Sequence, residues 1–305
     1  MKQKNLAIVI PAYKSTFLAA ALDSIAVQTC HNFTLYVGDD CSPNPIKEIV
    51  DRYTSKIDIV YRRFETNLGG IDLVAQWERC IDMTQGEEWI WLFSDDDVMD
   101  ANCVEEFYKI VQNSSSHYFH FNIRKIGADG LVKKELPAFP PHLSAEEYLE
   151  GKTAGRLVSF VIEYIFDKEF FLKAGRFVNF DMAWGSDYIT TLKLADLNNG
   201  IETIPNAKVS WRSSDENISP NKSAKILKKK MISVVEYLFW IKNFIKNKKN
   251  IKYSKKYYKY FFGEMKRIKD YIDRRTGNEL IDYFGRRMDL KSLSILFKFY
   301  WNLTK

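Results

Sequence analysis

Three consecutive aspartates, Asp95, Asp96 and Asp97, stand directly after the run Trp89-Ile90-Trp91-Leu92-Phe93-Ser94. The run is aromatic and aliphatic, and it is short enough for a strand buried on both faces. Gly86 punctuates the chain just before it. A buried strand that ends in three carboxylates needs a neutralising partner, because adjacent like charges repel and desolvated ones cost more still. A hard divalent cation bridging a phosphorylated ligand meets that need. Mg²⁺ and Mn²⁺ prefer carboxylate and phosphate oxygens and usually take one or two ligands from the protein. The plainer alternative is an acidic loop at a helix N-terminus, where Asp100, Glu105 and Glu106 would complement the dipole.

The residues before this turn repeat one pattern. Leu6-Ala7-Ile8-Val9-Ile10 is a five-residue apolar run, and Pro11 is expected to close it because proline cannot continue a central ladder. Residues 18–27 carry Leu18, Ala21, Leu22, Ile25 and Ala26 at helical spacing. Phe33 to Val37 reads as a second strand, ending at Gly38-Asp39-Asp40-Cys41-Ser42. Val50 and its neighbours continue a helical stretch, and Ile57 to Phe64 reads as a third strand. Alternating strands and helices predict an open α/β sheet, in which ligands bind at the carboxyl ends of the strands. Two acidic clusters at two such ends therefore point to one site.

At these positions the sequence resembles the family 2 glycosyltransferases, nucleotide-sugar-dependent enzymes of the GT-A fold. The resemblance is carried by Ile10-Pro11-Ala12-Tyr13, Asp39-Asp40-Cys41-Ser42, Asn67-Leu68-Gly69-Gly70 and Ser94-Asp95-Asp96-Asp97, in the family's order and spacing. It reaches Gly185-Ser186-Asp187 and covers roughly residues 4–220. Cys41 stands where glycine or asparagine is common, and Ser186 where an acid is common. The resemblance implies a Rossmann-like mixed or parallel sheet flanked by helices. It also implies an inverting transfer from a nucleoside diphosphate sugar, a uridine one being expected, to a hydroxyl of a glycan or lipid-linked acceptor in surface-polysaccharide or glycan assembly.

Site roles follow from it residue by residue. Asp95, Asp96 and Asp97 would carry the metal-binding D-x-D and hold Mn²⁺ or Mg²⁺, with the register of the triplet left open between Asp96 and its neighbours. Asp95 and Asp96 would also face the donor nucleotide. Asp40, with Asp39 beside it, would accept the uracil N3–H, since a carboxylate only accepts. Pro11, Ala12 and Tyr13 would wall the base, Asn67 and Gly69 would belong to the same pocket, and Arg212 would clamp the diphosphate. Asp187 would be the general base, the competing reading being a helix N-cap.

Composition agrees with an enzyme. At 46% hydrophobic residues the chain can bury a sizeable core, and no apolar run approaches the ~20 residues of a membrane span. Met1-Lys2-Gln3-Lys4 leads straight into a strand, so no signal peptide is expected. Cys30, Cys41, Cys80 and Cys103 are widely spaced, which suggests neither zinc nor a disulfide framework and makes the cytoplasm the expected compartment. The four histidines show no metal spacing, and His120 reads as a strand residue.

Charge divides the chain. Residues 1–221 hold 22 basic against 32 acidic residues, net −10, whereas residues 222–305 hold 23 against 7, net +16. The expected organisation is a catalytic domain over 1–221 and a basic helical module over 222–305, parted at Asn217-Ile218-Ser219-Pro220-Asn221. In the module, Leu227, Met231, Val234, Leu238, Ile241 and Ile245 recur at helical steps, as do Tyr258, Phe261, Met265, Ile268 and Ile272. Such helices suit either peripheral attachment to an anionic membrane surface at its cytoplasmic face or a cap that packs its apolar stripe and solvates its lysines. No nucleic-acid motif accompanies the charge, and no nucleic-acid partner is expected. A nucleotidyltransferase would carry a glycine-rich loop where Pro11-Ala12-Tyr13-Lys14-Ser15 stands, and a non-catalytic membrane adaptor would have no use for the aspartates.

Overall fold

The structure, a computed structural model, describes residues 5–217, 222–246, 248 and 256–304. The chain divides into two units, residues 1–177 with 190–214 and residues 178–189 with 215–305. The expected boundary at Asn217–Asn221 falls largely on residues 218–221, outside the described ones.

The first unit is built on a mixed sheet. Its elements are β1 (Leu6–Ala12), α1 (Leu18–Ala26), β2 (Phe33–Asp39), α2 (Ile46–Asp51), β3 (Ile59–Arg63), α3 (Leu73–Ile81), β4 (Trp89–Leu92), β5 (Val98–Met99), α4 (Cys103–Val111), β6 (Tyr118–Ile126), β7 (Val132–Glu135), β8 (His142–Leu143), α5 (Ala145–Thr153), β9 (Tyr164–Asp167), α6 (Lys168–Lys173), most of α7 (Ser186–Leu197) and β10 (Ile201–Arg212). The strand order is β3-β2-β1-β4-β9-β6-β10-β5, with β7 on β6 and β8 on β10. β3, β2, β1 and β4 are mutually parallel, and β9 is antiparallel to both β4 and β6. The expected α/β architecture is the one observed. β1 and β4 are buried nearly throughout, which is why both read as unbroken apolar runs and not as alternating ones.

Pro11 corrects one expectation. It does not close β1 but lies inside it, paired with Gly38, and the strand runs to Ala12. The Val9 carbonyl accepts from Phe93 N–H on the β4 side, and the Ala12 carbonyl accepts from Asp40 N–H on the β2 side. By alternation Pro11 turns towards β4, whose pairing has already stopped at Val9–Leu92. No ladder bond is lost there, so proline is tolerated. The dipole reading of the aspartates also changes. α4 begins only at Cys103 with Glu105 and Glu106 in its first turn, and β5 lies between it and Asp97.

The second unit contains α8 (Ala224–Lys246), α9 (Lys256–Ile268), α10 (Arg274–Arg287) and α11 (Lys291–Thr304). The stripe from Leu227 to Ile245 on α8 is buried, as are Phe261, Met265, Ile268 and Ile272. Phe261 stacks on Phe284 of α10 at 4.1 Å. These stripes form the unit's own core. The lysines beside them are engaged as well: Lys228 pairs with Glu279 (2.7 Å), Lys229 with Asp181 (3.2 Å), and Lys230 is buried over the Trp184 ring. Of the run Lys228–Lys230, only Lys230 is withdrawn from the surface; Lys228 and Lys229 sit there in ion pairs. No helix among the described residues is long and apolar enough to cross a membrane.

His120 lies on β6, as its sequence setting suggests, fully buried and stacked on Phe139 at 3.8 Å. Neither ring nitrogen has a hydrogen-bond partner among the described residues. Burial pushes its pKa down to about 3, outweighing Glu163 Oε1 at 3.3 Å. The unfolded chain, with a histidine near 6.5, binds the proton more readily. Full stability is therefore present above ~6.5 and is lost as pH falls towards 3, by about 2 kcal/mol at pH 5. Urea titrations at pH 7 and pH 5 should show this loss in the parent and a markedly smaller one in His120→Phe. Equal losses would place the acid sensitivity elsewhere.

Candidate active site at the carboxyl ends of the parallel strands

Because β1, β2 and β4 run parallel, their carboxyl ends share one edge of the sheet and deliver Tyr13-Lys14, Asp39-Asp40 and Ser94–Asp97 to it. The aspartate turn is buried and closely held. Asp95 Oδ2 accepts the main-chain N–H of Tyr13 (2.9 Å) and of Lys14 (2.8 Å). The Lys14 ammonium sits 2.5 Å from Asp96 Oδ2 and 3.7 Å from Asp95 Oδ1. Asp97 Oδ1 accepts Arg212 N–H (2.6 Å), and the Ser94 hydroxyl faces Asp97 Oδ2 (2.9 Å) and Asp96. Burial pushes the Asp95 carboxyl up to about 6, with Lys14 opposing and Asp96 adding to the shift. Asp97 is raised by burial and then by Asp96. Burial alone would lower the Lys14 ammonium, but Asp95 and Asp96 outweigh it and hold the pKa above its usual value.

The second acidic pair acts as a brace. Asp39 Oδ1 accepts Ser42 N–H (2.8 Å), and its Oδ2 accepts the Tyr61 hydroxyl (2.6 Å) and Arg63 (2.8 Å). Asp40 accepts Leu68 N–H and Gly69 N–H, both at 2.8 Å, and pairs with Arg79. Of the roughly four lone-pair sites on a carboxylate, Asp40 keeps one for a further donor. A Cβ on Gly69 would stand 2.6 Å from Asp40 Oδ2, so only glycine lets this main chain approach. Asn67 Oδ1 accepts Gly70 N–H (2.7 Å) and closes the same loop. Ala12 is buried, Pro11 half-buried and the Tyr13 ring exposed.

Arg212, at the end of β10, is buried. Its Nε donates to Asp96 O (2.7 Å), Nη1 donates to Gly127 O and Ala128 O, and its guanidinium lies over Phe17. It was expected on the diphosphate; in the structure it ties the aspartate turn to the β6–β7 turn. Asp187 lies in the first turn of α7, in the segment grouped with the helical unit. Met182, Ala183 and Gly185 just before it all have positive φ, at 61°, 54° and 90°. Ser186, where an acid was expected, is buried and accepts Phe180 N–H (3.0 Å), so it secures that bend.

The carboxylate oxygens of the turn are of the donor type that hard cations prefer, and Asp95 and Asp96 already face one positive charge, the Lys14 ammonium. Among the described residues no group of three His, Cys, Asp or Glu side chains is placed to hold a metal ion. An ion here would complete its shell from phosphate and water.

A family model described as Glycosyl transferase family 2 matches residues 7–167, more than half of the chain, from β1 to β9. This chain belongs to glycosyltransferase family 2. It is 27% identical over 173 residues to an uncharacterized glycosyltransferase of Haemophilus influenzae, covering 56% of this chain and 55% of the relative. Over 144 residues it is 23% identical to the poly(ribitol-phosphate) beta-N-acetylglucosaminyltransferase TarS of Staphylococcus aureus, covering 46% of this chain and 24% of TarS. The chain thus spans about half the length of the first of these relatives and about a quarter of the second. The crystal structure of Staphylococcus aureus TarS 1–349 in complex with UDP-GlcNAc matches with a TM-score of 0.57 at 15% identity, over 96% of this chain and 89% of that one. The mannosyltransferase PcManGT of Pyrobaculum calidifontis, in complex with GDP-Man and Mn²⁺, matches with a TM-score of 0.56 at 10% identity, over 95% and 75%. At these identities the likeness is one of fold, and the fold is GT-A.

In this member of the family several site residues escaped the sequence reading. Lys14, Phe17, Tyr61, Arg63 and Arg79 belong to no periodic pattern, and their roles depend on partners far along the chain, such as Asp96 for Lys14 and Arg212 for Phe17. Lys14 alone carried a signal, being the cation next to Tyr13 at a strand end. Cys41 did signal a conformation. Its φ is +53°, the left-handed region in which glycine is common. Cys41→Gly should therefore stabilise the fold by about 0.5–1 kcal/mol, read as a raised urea midpoint with an unchanged slope. A lowered midpoint would mean that the Cys41 side chain contributes more than its strain costs.

Proposed function

We propose that this glycosyltransferase moves a sugar from a uridine diphosphate sugar to a hydroxyl of a glycan or lipid-linked acceptor, with inversion at the anomeric carbon, in surface-polysaccharide assembly. The observation that carries the reading is the buried turn Ser94–Asp97 held against the Tyr13–Lys14 main chain. A cluster that costly to bury suits a ligand bringing both phosphate and cation. The UDP-GlcNAc bound by TarS supports the uridine donor, and the Mn²⁺ in the mannosyltransferase complex supports a divalent metal.

Asp95, Asp96 and Asp97 would hold the Mn²⁺ or Mg²⁺, which when bound would act as a Lewis acid for the departing diphosphate. The chain's own groups do the rest. The Lys14 ammonium balances the aspartates before the donor arrives and, on its flexible stem, can turn to a phosphate oxygen afterwards. Asp40 accepts the uracil N3–H at its remaining lone pair, with Asp39, Asn67 and Gly69 keeping that edge in place. Pro11, Ala12 and Tyr13 form the wall beside the base, the exposed Tyr13 ring being available to stack on it. Arg212 holds the aspartate turn in position. Asp187 takes the proton from the acceptor hydroxyl, and the positive φ of Met182 and Ala183 before it is the kind of backbone strain found at functional sites.

Donor and metal should bind together. UDP with Mn²⁺ should raise the melting temperature more than either alone, by the equivalent of about 2.7 kcal/mol at ~100 times the dissociation constant. The same shift from UDP in the presence of a chelator would count against the metal, and a shift with GDP but not UDP would overturn the uridine assignment.

Asp187→Asn should lower turnover at least ~10²-fold while leaving UDP affinity nearly unchanged. Near-normal turnover with a true acceptor would return Asp187 to the helix-cap reading.

A further inference from the structure

Among the described residues of the second unit, none covers one face of α11. Ile295, Leu296, Phe299, Tyr300 and Leu303 are each between 55 and 70% exposed. At 100° per residue they occupy one arc of roughly 140°, which is too wide and too continuous to count as scattered surface apolar residues. The other face is fixed by packing on α10. A Cβ on Gly277 would stand 2.3 Å from the Trp301 ring, and one on Gly285 would stand 2.3 Å from Ser294 Oγ. Lys298 pairs with Asp282 and Asn278 bonds Asn302. Glycine at both crossings lets the two helices approach closely, and this sets α11's rotation. The apolar arc is left facing outwards as a consequence.

Basic residues border that arc on both sides. The exposed Lys291 lies along one edge of α11 itself, next to Lys298, whose charge is paired with Asp282. On the other side Phe297 packs against Phe262 of α9 at 4.0 Å, and the exposed Lys259 and Lys266 lie one turn before and after Phe262. Apolar side chains along the centre and cations along the rims form the pattern of a helix lying in a lipid interface. A second copy of this chain would set two such rims against each other, in modules that each carry +16 over residues 222–305. An anionic headgroup layer complements both parts at once.

We propose that α11 is a membrane-docking helix, laying Ile295, Leu296, Phe299, Tyr300 and Leu303 into the surface of an anionic bilayer. The run Lys228–Lys230 on α8 is less suited to this role, since Lys228 and Lys229 are held in ion pairs with Glu279 and Asp181 and Lys230 is buried. The proposal does not depend on the transfer reaction, and its test reads no activity. The full chain should co-sediment with phosphatidylcholine–phosphatidylglycerol vesicles and much less with pure phosphatidylcholine, releasing as salt screens the rims. The triple variant Leu296→Ser, Phe299→Ser, Leu303→Ser should bind at least ~10-fold more weakly with an unchanged melting temperature, because the replaced side chains are exposed. Independently, Phe299→Trp should blue-shift its emission on adding the anionic vesicles. The proposal is overturned by a parent protein that stays in the supernatant at low salt, or by a triple variant that sediments like the parent. Self-association of the parent that the triple variant abolishes would also overturn it, making this the surface for a second copy.

Discussion

Everything at the sheet's carboxyl edge depends on how three buried, adjacent carboxylates are neutralised. Unpaired, they would be too costly to bury. Two main-chain N–H groups on Asp95, the Lys14 ammonium between Asp95 and Asp96, and Arg212 N–H on Asp97 share that task. These donors come from two places, the turn after β1 and the end of β10, so the turn exists only when β1, β4 and β10 are in register. The same constraint leaves the Lys14 ammonium as the side-chain cation that balances Asp95 and Asp96.

Asp39 and Asp40 show the same economy in a second place. They stand at the end of β2, and both draw loops towards the sheet's carboxyl edge: Asp39 through Ser42, Tyr61 and Arg63, and Asp40 through Leu68, Gly69 and Arg79. Arg212 makes the complementary point, since a cation expected on a ligand is engaged with main-chain carbonyls and contributes by holding other groups still.

The helical unit turns the charge asymmetry of the sequence into architecture. Its periodic stripes were legible, but periodicity cannot tell a stripe buried in its own core from one left outside. α8 and α9 bury theirs. α11, whose pattern is less regular, leaves its apolar arc exposed because Gly277 and Gly285 draw its opposite face onto α10. Lys228–Lys230, a conspicuous basic run in the sequence, is absorbed by Glu279, Asp181 and Trp184.

By itself the sequence determined the α/β class, the strand ends that carry carboxylates, the family and the division of charge along the chain. These follow from local signals: unbroken apolar runs for strands buried on both faces, helical spacing for helices, and acidic residues at strand termini. It left Pro11 misread, because whether a proline breaks a ladder depends on where the neighbouring strand stops. It was silent on Arg79 and Arg63 and named no partner for Lys14, because a counter-charge is identified by proximity and proximity between distant segments is set by sheet order. Only the tertiary structure decided which oxygens of Asp39, Asp40 and Asp95–Asp97 are already engaged, and which helix face remains open. Both are questions of what lies on the other side of a side chain, and a linear pattern carries no information about that.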